Sequence, residues 1–130
     1  MAKRTGGHRS AGSRGSERYV SDTGDLVWFS FSPQAGREQA GRRPELVLSP
    51  CAYNTKAGLC LVCPVTGQAK GYPFEVALPA GLKVTGVILS DAVKNLDWRA
   101  RNVRYLAPAP VAVIGAVQQR LGLLLGLEER

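Results

Sequence analysis

A small, curled β-barrel with one helix appended at its C-terminus is the fold this sequence predicts, an α+β chain that is mainly β. Three observations predict it. Short runs rich in β-branched and aromatic residues recur from Asp25 to Leu106, separated by glycine, proline and polar residues. After Pro110 the spacing changes: Val111, Ile114, Val117, Leu121 and Leu124 step by three or four residues, which places them on one face of a helix. The length of 130 residues, with 45% hydrophobic and 21% charged, suits one domain with a real core.

The elements follow in order. Leu26 to Phe31 reads as a strand after the turn former Gly24. Ser32 to Arg43 is polar, holds Pro33, Gly36 and Gly41, and reads as a long loop. Glu45 to Leu48 is a second strand, closed by Pro50, and Tyr53 to Gly58 a polar turn. Leu59 to Val65 is a third strand, and Thr66 to Tyr72 a loop with glycines at 67 and 71. Phe74 to Leu78 alternates as a fourth strand, and Pro79 to Lys83 is a turn. Val84 to Leu89, Ala92 to Leu96 and Val103 to Leu106 read as three more strands, with a helical turn expected over Trp98 to Arg101. Pro110 suits the first turn of the closing helix, which is apolar on more than one face and so expects the sheet and a partner against it.

Charge is placed unevenly. The net charge is +7, and residues 1–20 hold five bases against one acid. That segment is rich in Gly, Ser and Arg and nearly free of apolar residues, so it cannot repay its ordering entropy. Residues 1–17 are therefore expected to be a disordered basic tail ahead of a domain spanning 18–130, adding non-specific attraction to polyanions. No membrane span is expected, because the apolar stretch from Val111 to Leu127 is broken by Gln118, Gln119 and Arg120. No apolar signal segment follows the basic start, and the three cysteines are odd in number, which points to free thiols and a cytoplasmic setting.

Cys60 and Cys63 form a CxxC pair, but within a β-rich run residues three apart face opposite ways and cannot share a metal. The one histidine, His8, lies in the tail, so serine–histidine and cysteine–histidine catalysis are excluded, and no glycine-rich phosphate loop is present. No cofactor is expected. Two loops carry the candidate chemistry. Gly36 to Pro44 packs Arg37, Glu38, Arg42 and Arg43 together; guanidinium forks bind phosphate bidentately, and a glutamate among them stays ionised and accepts a proton. Thr66 to Tyr72 combines a hydroxyl, Lys70 and an aromatic that can stack on an unpaired base.

The run Gly24-Asp-Leu-Val-Trp28, then Glu38-Gln-Ala-Gly-Arg-Arg-Pro44, Val47-Leu-Ser-Pro50, Tyr53-Asn54, Thr66, Lys70-Gly-Tyr-Pro-Phe-Glu75 and Asp91-Ala-Val-Lys94 with Trp98-Arg-Ala-Arg101 resembles the MazF/PemK family of toxins. The resemblance covers residues 18 to about 101 closely and the C-terminal helix in pattern only. It implies an SH3-like barrel, related to the CcdB-like architecture, and a homodimer. It also implies a ribosome-independent endoribonuclease that cuts single-stranded RNA at short sequences and is inhibited by a cognate antitoxin, here expected to carry an acidic segment. Glu38, Arg43 and Thr66 match the family's catalytic positions; Trp28, Phe31, Lys70 and Tyr72 match its RNA groove, and Arg37, Gln39, Arg42, Arg99 and Arg101 are further candidates for RNA binding.

The chemistry implied is attack of a ribose 2′-hydroxyl on the neighbouring phosphorus, which needs a base, an acid and cationic stabilisation but no metal. The family pattern assigns proton transfer to Arg43 and Thr66. A guanidinium holds its proton with a pKa above about 12, so stabiliser and proton donor suit Arg43, while Glu38 suits the base and Thr66 orientation or relay. A toxin of the same fold that poisons DNA gyrase by binding, or a non-catalytic RNA-binding barrel, would not need Glu38, Arg43 and Thr66 together.

Overall fold

The computed structural model describes residues 19–31 and 41–127. Among these residues, seven strands and two helices run in the order β1 (Asp25–Phe31), β2 (Gly41–Val47), α1 (Cys51–Ala57), β3 (Leu59–Thr66), β4 (Glu75–Ala77), β5 (Val87–Leu89), β6 (Lys94–Asp97), β7 (Arg104–Pro108) and α2 (Val111–Leu124). All the strand pairs are antiparallel, in the order β4-β5-β3-β2-β1-β7, with β6 also on β3. No ladder joins β4 to β7 among the described residues, so the sheet stays open where a barrel was expected. The basic tail of residues 1–17 and the candidates Arg37, Glu38 and Gln39 lie outside the described residues.

Strand alternation sends side chains to two faces, and both are buried. On one face Leu26, Leu46, Cys63, Val65 and Ile88 meet Val113 and Val117 of α2, which covers them. On the other, Val27, Phe29, Val47, Cys60 and Val62 pack with Trp98, under Tyr19, Val20, Leu96 and Val103. Cys60 and Cys63 therefore enter different clusters, as expected, and both are free thiols without exposed surface. Burial pushes each thiol up to about 12.

Three expectations are corrected. The stretch from Cys51 to Ala57 is a helix, where a turn was expected. It is locked from outside: the Asn54 amide donates to the carbonyls of Ser21 (2.9 Å) and Ser49 (3.0 Å), the Ser49 hydroxyl donates to its carbonyl oxygen (2.6 Å), and the Trp98 indole donates to its backbone oxygen (2.8 Å). Gly58 ends the helix at φ +73°, in the left-handed region that favours glycine. Second, β2 begins at Gly41, four residues before the expected start, because β1 templates it as far as Phe31↔Gly41; Arg42 and Arg43 are strand residues. Third, Thr66 ends β3, where a loop was expected to begin. No helix among the described residues is long and apolar enough to cross a membrane.

Candidate active site

The β2–β3 ladder runs from Val47↔Val62 through Leu46↔Cys63 to Glu45↔Pro64 and stops. Pro44 and Pro64 have no N–H to continue it. One step of alternation beyond the last pair, Arg43 on β2 and Thr66 on β3 come to the same face, the one that carries Glu45, Val47 and Val62. Two residues that the sequence separates by 23 positions are thus placed by alternation on one face, just past the end of one ladder.

Thr66 is held from two sides. Its Oγ1 accepts the Gln68 N–H at 3.2 Å, and its backbone pairs with Val87 of β5. Gly86, at φ +121°, lets β5 pass the Thr66 carbonyl: a Cβ there would lie 2.2 Å from that oxygen. Arg43 is half-buried and stands opposite Phe29.

Glu45 is the acid in this patch that sequence reading missed as a functional residue. It has no exposed surface, and among the described residues neither carboxyl oxygen has a hydrogen-bond partner. Burial raises its pKa from 4.5 to about 7, against the opposing pull of Lys94, Arg43 and Arg101. The sequence signal was a lone glutamate opening an otherwise apolar strand.

The remaining candidates divide. Trp28 and Arg42 share the opposite face of the β1–β2 hairpin, with the guanidinium 4.6 Å above the indole, a cation–π contact. Lys70 and Tyr72 lie on the exposed loop between β3 and β4, and Tyr72 is 56% exposed. Glu75 shapes that loop: its carboxylate accepts the N–H of Lys70 (2.9 Å) and of Gly71 (3.0 Å), a second contribution that sequence reading missed. Arg101 reaches the Glu45 patch by charge, and its backbone oxygen accepts the Ser30 N–H at 3.0 Å. Arg99 points elsewhere. It caps α1 by donating to the Thr55 oxygen (3.1 Å), stacks on Trp98 at 5.1 Å, and lines a cavity with Tyr19, Asn102 and Val103. The backbone of Phe31 pairs with Gly41 at the hairpin end.

The arrangement suits recognition of a phosphate. Cations of β2, β6 and the turn after β6 all act by charge on Glu45, and Thr66 ends the strand next to β2.

Residues 22–125 match the family model described as PemK-like, MazF-like toxin of type II toxin-antitoxin system. The chain is 47% identical to the endoribonuclease toxin MazF of Escherichia coli K12 over 109 residues, 84% of this chain and 97% of that one. It is 34% identical to the endoribonuclease PemK of Escherichia coli, over 80% of this chain and 81% of that one. Among solved structures, a MazE–MazF crystal structure from Deinococcus radiodurans superposes with a TM-score of 0.77 at 54% identity, covering 85% of this chain and 99% of that one. With the fold, the order of the motifs and these likenesses in agreement, the chain belongs to the PemK-like, MazF-like toxins of type II toxin–antitoxin systems.

Proposed function

We propose that this endoribonuclease toxin cleaves single-stranded RNA, messenger RNA included, by attack of the ribose 2′-hydroxyl on the adjacent phosphorus, leaving a 2′,3′-cyclic phosphate and a 5′-hydroxyl, without a metal. The reading is supported by the β2–β3 register, whose alternation puts Arg43 and Thr66 on one face just past the end of the ladder. A phosphorane gathers negative charge on its equatorial oxygens, and a guanidinium beside it stabilises that charge bidentately. Glu38 takes the 2′-hydroxyl proton; Arg43 stabilises the phosphorane and supplies a proton toward the leaving 5′-oxygen; Thr66 orients the phosphate. Trp28, Arg42, Lys70 and Tyr72 bind the strand on either side by stacking and charge.

The same basic groove receives the antitoxin. The solved MazE–MazF pair motivates the partner, and the cationic cluster motivates its chemistry: an acidic segment that mimics phosphates and folds on binding. A second copy of the chain covers part of the apolar surface that α2 leaves open, where Val111 is 84% exposed and Leu125 70%.

The test is a long RNA incubated with the protein in excess EDTA, followed by end analysis. Cleavage should persist and leave cyclic phosphates. A substrate with one 2′-deoxy nucleotide on the 5′ side of the scissile bond should bind and resist cutting; efficient cutting of it sinks the mechanism.

A further inference from the structure

The Glu45 carboxyl lies in the reactive patch, yet the chemistry above gives it no task. We propose that Glu45 is a positioning residue for the cleavage reaction: its buried carboxyl competes with the scissile phosphate for the Arg43 guanidinium, and RNA binds as that carboxyl takes up a proton. The proposal rests on the reading that Arg43 contacts the phosphate.

The geometry carries it. Glu45 and Arg43 are two residues apart on β2 and so project from the same face. The described elements around Glu45 are β1, β3, β6 and the turn after β6. β1 sets Val27 directly opposite, with Asp25 and Phe29 on either side along that face; β3 sets Pro64 opposite, with Cys60 farther along. Lys94 of β6 and Arg101 of the following turn bring their charges from the third side. The Asp25 carboxylate is already engaged by the Tyr19 hydroxyl and the Asp22 N–H. Among the described residues, Glu45 thus has three cations within electrostatic reach and no hydrogen bond to any donor.

An ionised carboxylate in such a place is costly unless a cation approaches it, and Arg43 shares its strand and its face. An incoming phosphate asks the same guanidinium for the same forked contact. A second anion brought beside a buried carboxylate raises the cost of keeping it ionised, so the carboxyl, already biased toward its neutral form by burial, takes a proton from solvent. The neutral form removes one negative charge from the surroundings of Arg43, Lys94 and Arg101, which makes it the form that accepts RNA. By linkage, affinity falls as pH rises through the range where free Glu45 ionises.

The experiment uses the full chain and a single-stranded RNA made uncleavable by a 2′-deoxy nucleotide at its mapped cleavage site. Titration calorimetry near pH 8, in two buffers of different ionisation enthalpy, should show uptake of close to one proton on binding. The dissociation constant should weaken about thirtyfold from pH 6 to pH 8.5, since free Glu45, at about 7, goes from mostly protonated to mostly ionised over that range while the bound form keeps its proton. Glu45→Gln, neutral at every pH, should take up no proton by this route and bind at pH 8.5 as tightly as the wild type does at pH 6. His8 is present in both proteins and cancels in the difference. A wild-type proton count of zero overturns the proposal without any variant, and so does a Glu45→Gln protein with an unchanged pH profile. Arg43→Ala separates the two failures: if it cuts RNA at the wild-type rate, the cleavage reading falls with the proposal, whereas an inactive Arg43→Ala beside a wild type that takes up no proton removes the proposal alone.

Discussion

Asp25 and Glu45 stand on the same face of neighbouring strands, and neither exposes any surface. Asp25 accepts the Tyr19 hydroxyl and the Asp22 N–H, so its charge is met by donors that cannot leave without unfolding the N-terminal segment. Among the described residues, Glu45 accepts nothing and lies among cations held at a distance. The difference teaches how to read a buried acid in this fold. One carboxylate ties the segment at residues 19–22 over the second core; the other leaves electrostatic tension at the end of the sheet where Arg43 and Thr66 share a face.

Activity gives the largest expected contrast between the two ends of that face. Arg43→Ala and Thr66→Ala should each slow cleavage by roughly 10²–10⁴, the scale of a lost acid–base or stabilising group. Their melting temperatures should change little, because both side chains stand at the partly exposed rim of the sheet. Arg43→Lys should recover only part of the rate, since an ammonium cannot make the forked contact. Asp25→Ala should leave the turnover of the folded fraction intact, and a rate loss there as large as that of Arg43→Ala would erase the distinction.

Stability should invert the order. Asp25→Ala strips the Tyr19 hydroxyl and the Asp22 N–H of a charged acceptor and should cost about 3 kcal/mol in denaturant unfolding, from two bonds of charge-assisted strength. Glu45→Gln should do the opposite at alkaline pH. The folded state raises this group's pKa from 4.5 to about 7, so it holds the proton more tightly than the unfolded chain does. That contribution is fully present below pH 4.5, falls as pH rises toward 7, and above 7 stands as a penalty of about 3 kcal/mol relative to an unshifted carboxyl. The wild type should therefore unfold more easily at pH 8 than at pH 5, and Glu45→Gln should remove that difference. A wild type equally stable at both values would mean that Glu45 finds a donor in solution.

Much of this contrast was out of reach of sequence pattern. Strands such as β1, β3 and β5 were legible because each is a short apolar run between turn formers, and the period change after Pro110 gave the last helix. Helix α1 was not, because Asn54 and Lys56 read as turn residues; its hydrogen bonds come from Ser21, Ser49 and Trp98, up to 44 positions away. Arg42 and Arg43 read as loop because a strand templated by its neighbour needs no apolar pattern of its own. Glu45 read as an ordinary strand opening, since a polar residue at a strand end is usually wet. Only the covering of both faces of the sheet makes it dry. The pairing of Arg43 with Thr66 came from family likeness and is supported by the register, whereas Arg99, grouped with them in sequence, is bound to the end of α1.

Glu75 provides the smallest and most discriminating test, because it applies the logic of Asp25 at the surface. Its carboxylate gathers the N–H groups of Lys70 and Gly71 and so fixes the loop that presents Lys70 and Tyr72. Glutamine keeps one carbonyl oxygen and loses the charge, leaving the loop less ordered but the strands unchanged. In water such bonds are each worth about 0.5–1 kcal/mol, which corresponds to roughly a two- to fivefold change in an equilibrium constant. Glu75→Gln should therefore weaken RNA binding by about that factor, with little change in melting temperature. Its kcat should match the wild type, since Arg43 and Thr66 are untouched, while KM carries the loss. A fall in kcat with KM unchanged would place the loop against the reacting atoms, and Glu75 would then belong with Glu45 and not with Asp25.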